Sequence, residues 1–126
     1  MILLVSVTAV SLTMLQGAIN APREAFRECT RTAAAKAHSE NVGGDAFEAY
    51  MRNSCSVQIG SLRSAIQAFN MKNGMAKKAA AADADLTVED YAASPVEQYR
   101  LRAGVSAANA AAPVQAPATA PSQPPK

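Results

Sequence analysis

Phe47-Glu48-Ala49-Tyr50-Met51-Arg52-Asn53-Ser54-Cys55-Ser56-Val57-Gln58-Ile59 opens the strongest apolar repeat in the chain. Phe47, Met51, Cys55, Ile59, Leu62, Ile66 and Phe69 recur every three or four residues, the period that puts side chains on one face of a helix. The spacing predicts one long helix. It starts near Asp45, whose carboxylate suits a cap, and stops or kinks at Asn73-Gly74. Upstream, Phe26, Cys29, Ala33 and Ala37 make a narrower stripe of the same period. It predicts a first helix from Pro22 to Ser39, with Pro22 in the first turn, where its missing N–H costs nothing. Between the two, Asn41-Val42-Gly43-Gly44 breaks the pattern, because paired glycines are poor helix formers.

Val42 lies midway between Cys29 and Cys55. In an antiparallel hairpin that turns there, the two thiols meet. Ala33 then faces Met51, Ala37 faces Phe47, and Phe26 falls near Gln58 and Ile59. Small residues of one helix meet large residues of the other. The cysteine match and the stripe match rest on different residues and agree. The cysteine spacing is neither a C-x-x-C redox motif nor a zinc pattern, so a structural disulfide is preferred to a reactive or metal-binding pair. Closing a loop of that length is worth about 3.5 kcal/mol in the chain-entropy picture.

Beyond the hairpin, Met75, Ala79, Ala82 and Leu86 suggest a weaker seam on a third helix from Met75 to Tyr91. Ser94-Pro95-Val96-Glu97 has the form of a capping box with proline at the first helical position. It predicts a short last helix, Pro95 to Arg102, carrying Val96, Tyr99 and Leu101. From Ala103 the chain turns to Ala, Ser, Thr and Gln, with Pro113, Pro117, Pro121, Pro124 and Pro125 among them. Residues 103–126 therefore read as a disordered Pro/Ala-rich tail, a spacer in preference to an SH3-type ligand.

At the other end, Ile2 to Leu15 is apolar and softened only by Ser and Thr. It is short for a membrane span, which takes about 20 residues, and it fits the apolar part of a secretory signal. No Lys or Arg precedes it, and Pro22 would follow a cut at Ala21, so the reading of residues 1–21 as a signal peptide leaves the cleavage position open. The alternatives are a retained anchor and a buried apolar helix of the mature fold. A lipoprotein is disfavoured because Cys29 lies too far along. Removing leader and tail leaves residues 22–102 as one small domain, a size that often needs a staple.

Composition narrows the function classes. Alanine fills about a quarter of the chain, Trp is absent, and the net charge of +2 is too weak to argue for nucleic acid or an anionic membrane. Arg23, Arg27 and Arg31 form an i, i+4 row, but Glu24 and Glu28 lie beside it, which reads as a solvated face. Lys77-Lys78 is too small for a nucleic-acid patch. His38, the single histidine, sits where a cation complements a helix C-terminus and has no nucleophile beside it in sequence. Asp83, Asp85, Glu89 and Asp90 make the one acidic cluster. Asp85 and Glu89 are placed to touch a divalent cation, but an acidic solvent face is preferred, since hard cations need more oxygens and a turn. There is no phosphate-cradling glycine loop, nucleophile elbow or zinc-protease motif.

Ala25-Phe26 ahead of Cys29, Asp45-Ala46-Phe47-Glu48-Ala49-Tyr50-Met51 ahead of Cys55, Lys72-Asn73-Gly74 and Asp90-Tyr91 together resemble small uncharacterised exported helical proteins of Ala-rich bacteria. The likeness spans residues 22–102. It implies the class and the paired cysteines, and it carries over no catalytic residue.

The expectation is thus an all-α protein: a disulfide-clipped antiparallel hairpin, one or two further helices and a disordered tail. It is read as periplasmic or secreted and non-enzymatic, a binding or envelope-associated protein without cofactor or metal. Its partner would be another protein or a second copy, drawn to an apolar seam of Phe47, Tyr50, Met51, Ile59, Leu62, Ile66 and Phe69. Nucleic acid is not expected, nor a membrane unless the leader is retained. The rivals are a membrane-tethered adaptor and an enzyme, thiol-disulfide or hydrolytic.

Overall fold

A chain this rich in alanine forms helix readily, and the heavier apolar residues decide which faces pack. The computed structural model describes residues 9–111, with side chains from Gly17 onward. Over that range it contains four helices: α1, Ala9–Ser39; α2, Phe47–Ser54; α3, Ser56–Lys72; and α4, Lys77–Ala111. There is no strand among the described residues. The α2–α3 rod lies between α1 and α4 and packs along both, while α1 and α4 touch much less.

The hairpin is clasped as its spacing predicts. Cys29 and Cys55 form a disulfide, S–S 2.05 Å, with their Cα atoms 5.9 Å apart. Phe26, Ala33, Ala37, Phe47, Met51 and Cys55 are buried in one apolar cluster, with Leu62 and Ile66 continuing it. Tyr50 and Ile59 are half-buried against it.

Three local details of the hairpin differ from the sequence reading. First, α1 does not begin at Pro22. It runs from Ala9 straight through that proline, and the Asn20 side chain, a candidate cap, instead accepts a bond from Arg23 Nη2 at 2.9 Å. Residues 1–8, the start of the expected leader, lie outside the described residues.

Second, the corner is made by asparagine. Asn41 takes the left-handed conformation (φ 56°), Val42 N–H donates to Ala37 O at 2.9 Å, and Asn41 N–H donates to His38 O at 3.2 Å. This is a Schellman closure, for which Asn is the usual substitute for Gly. Neither Gly43 nor Gly44 has a positive φ. Gly44 serves packing, since a Cβ there would sit 3.3 Å from the Arg100 Cα of α4.

Third, the long second helix is interrupted. Asp45 lies in the turn before it without capping it; α2 starts after Ala46 with no side-chain cap. At Cys55 the backbone leaves helical angles (φ −110°, ψ 21°). The hydrogen-bond ladder still crosses that residue, from Cys55 N–H to Met51 O (2.8 Å) and from Ile59 N–H to Cys55 O (2.9 Å). The stop at Asn73-Gly74 is as expected. Gly74 is left-handed (φ 92°), and Met75 N–H reaches Asn70 O at 3.0 Å.

The last third departs most. The two helices expected there are one, α4, and Pro95 lies inside it. The buried face is Ala80, Ala84, Val88, Ala92, Val96 and Tyr99. The Met75, Ala79, Ala82 and Leu86 seam is exposed, Leu86 to 68 %. Alanines surround the first half of α4, so periodicity there cannot choose a face; Val88, Val96 and Tyr99 choose it. Burying such side chains is worth about 1.5–3 kcal/mol each, enough to outweigh the roughly 3 kcal/mol that an interior proline costs. Ser94 accordingly does not cap: its hydroxyl accepts a bond from Gln98 Nε2 at 3.2 Å.

Leu101, expected on the packed side, is 61 % exposed. The helix also continues through 103–111, residues expected in the tail; the rest of that tail, 112–126, lies outside the described residues. Tyr99 anchors α4 to the corner. Its ring stacks on Phe47 with centroids 3.9 Å apart, and its hydroxyl donates to Val42 O at 2.7 Å.

Candidate functional site

Because α1 and α4 both pack on the α2–α3 rod and touch each other much less, the two outer rods leave a groove between them of about 1380 Å³. Its α1 wall runs from Arg23 to His38 and its α4 wall from Tyr91 to Ser106. The floor is Phe26, Ala34, Tyr91, Pro95 and Tyr99. Leu101 and Val105 stand on the α4 wall, each about 60 % exposed. Four guanidinium groups border it, Arg23, Arg27 and Arg31 from α1 and Arg102 from α4, and no carboxylate lines it among the described residues.

The arginine row read as a solvated face is indeed exposed at Arg27 and Arg31, which reach Glu24 (3.0 Å) and Glu28 (3.1 Å) on their own helix. Those glutamates are not among the groove's lining residues, and such exposed pairs are worth about 0.2–1 kcal/mol, so they hold the arginines weakly. Arg23 Nε is buried without a hydrogen-bond partner among the described residues. No protein-family model, curated protein or solved structure matches this chain.

The other charged clusters compensate themselves. Asp85 pairs with Arg63, Glu89 with Arg52, and Asp83 accepts a bond from Asn70 Nδ2 at 2.7 Å. Three of the four acidic-cluster residues are thereby cross-helix braces of α4 onto α2 and α3. The hydrogen bonds to Glu89 and Asp85 raise the Arg52 and Arg63 pKa values further above their ordinary range. A smaller cleft of about 470 Å³ around Arg52 carries Glu48, Glu89 and Glu97 against Arg52 and Arg100, one carboxylate in excess. No group of three or more metal-ligating side chains is present among the described residues.

His38 lies exposed at the last turn of α1 and at one end of the groove. Two of the groove hydroxyls make local bonds: Thr30 Oγ1 donates to Arg27 O at 2.8 Å, and Ser94 Oγ accepts from Gln98 Nε2 at 3.2 Å. Cys55 is fully buried and Cys29 half-buried, so the disulfide presents one sulfur edge at most to a thiolate. The arrangement offers guanidinium cations beside apolar surface.

Sequence reading missed this groove. The arginine row was visible, but its facing wall was assigned partly to a capped short helix and partly to a tail. The one available signal was Leu101 and Val105, four residues apart and continuing the helical phase past Arg102.

Proposed function

We propose that this is a non-enzymatic binding protein that works through the α1–α4 groove. The carrying observation is a concave surface lined by four arginines and several aromatic and aliphatic side chains, with no carboxylate among the described lining residues. We further propose export to the periplasm or exterior of a bacterial cell, supported by the apolar Ile2–Leu15 stretch and by the disulfide, which persists in oxidising compartments. Among the described residues no helix is long and apolar enough to cross a membrane.

The test is capture from an envelope fraction by the full chain and by an Arg27→Glu/Arg31→Glu variant. A partner retained by the first and lost by the second supports the reading; identical retention counts against it. The mass of the exported form separates a cleaved product from a membrane-tethered adaptor that keeps its leader. A redox role predicts a bond reduced at mild potential without loss of helix.

A further inference from the structure

We propose that the α1–α4 groove receives an acidic amphipathic helix of a partner protein, a proposal that rests on the binding reading above and names its ligand. Length is the first argument. Arg23 to His38 spans fifteen residues of helix rise, about 22 Å, and takes a guest helix of about 15 residues. The groove volume, about 1380 Å³, exceeds the roughly 300–1,000 Å³ of small-molecule sites.

Charge is the second. Arg23, Arg27 and Arg31 repeat every four residues, a pitch of about 6 Å, which is the pitch at which carboxylates four apart recur on a guest lying alongside. Arg102 stands on the facing wall. A guanidinium fork matches a carboxylate in two hydrogen bonds. The third argument is apolar. Leu101 and Val105, 61 % and 60 % exposed among the described residues, present the knobs that the apolar face of a guest packs against. A lipid surface does not enter a groove between two rods, and nucleic acid is disfavoured by a net charge of only +2.

The experiment uses the full oxidised chain and two labelled synthetic helices of about 16 residues with the same leucine face. One carries glutamates four apart beside that face, the other lysines. Anisotropy is expected to show binding of the glutamate helix, weakened by salt, and at least about tenfold weaker binding of the lysine helix. Arg27→Glu/Arg31→Glu should reverse the preference, a result that misfolding does not produce. Leu101→Lys should weaken the glutamate helix about tenfold with the melting temperature unchanged.

Equal binding of both helices, binding of neither, or binding only to anionic phosphatidylglycerol vesicles overturns the proposal. A photocrosslinking side chain placed at Ala35 keeps the two claims apart. If it captures a lipid or a non-helical partner in the envelope, the ligand assignment fails and the binding reading stands. If it captures nothing and no peptide binds, both fail.

Discussion

Replacing Cys29 and Cys55 together by alanine (C29A/C55A) is expected to destabilise the fold by about 3.5–4.5 kcal/mol. The cross-link closes a loop with a sequence separation of 26. For that length the chain-entropy relation gives about 3.5 kcal/mol. Cys55 is fully buried, so deleting its sulfur adds up to about 1 kcal/mol of lost packing. Domains of this size have about 5–15 kcal/mol in total, so the loss is a large share. It corresponds to an unfolding constant some 300-fold larger or more and a melting point lower by roughly 15–25 °C. Urea and thermal unfolding followed by circular dichroism read it directly. Wild type in reductant serves as the companion sample, since it breaks the bond without deleting atoms and should show about 3.5 kcal/mol of the loss. A loss under about 1 kcal/mol would refute the reasoning: it would mean that the unfolded chain already holds the hairpin corner closed, or that packing alone fixes the two rods.

Other expectations follow from single contacts. Tyr99→Phe removes the hydroxyl that donates to Val42 O and should cost about 1–2 kcal/mol in urea unfolding, with helix content unchanged. Asn41→Gly should leave stability equal or raise it by up to about 1 kcal/mol, whereas Asn41→Val, β-branched at a positive φ, should lower it by about 1–3 kcal/mol; the opposite order in thermal melts would reject the corner described above. The Tyr50 phenol is held above its ordinary value of 10.0 by burial and then by its hydrogen bond to Glu40. The folded state therefore keeps that proton to higher pH than the unfolded state. Its stabilisation is complete below about pH 10 and is lost as pH rises beyond. The melting-point gap between wild type and Tyr50→Phe should be constant near neutral pH and narrow above pH 10; a gap that widens there contradicts the bond.

The hairpin was legible because its two halves carry unlike signals that agree. Phe47, Met51, Cys55, Leu62 and Ile66 differ enough from their neighbours to mark a face, and the cysteines fix the register independently. The corner was placed correctly but credited to the wrong residue: paired glycines are the louder signal, while Asn41 occupies the left-handed site. In α4 the local cues misled. Ser94 and Pro95 form a helix-start pattern, yet Ala92, Val96 and Tyr99 on either side of it are all buried in the same core. Local capping is worth about 1 kcal/mol, and the burial of those side chains is worth more.

The amino-acid order by itself thus determined the helical class, the turn positions near residues 42 and 74, and the disulfide, because each rests on contacts between residues close in sequence or on a symmetric pairing about one corner. Only the tertiary structure decided which face of α4 is buried, that α1 and α4 continue through their prolines, and that a cationic groove opens between them. Those outcomes depend on what lies across from an alanine-rich surface, and alanine, being small on every side of a helix, says nothing about its neighbour.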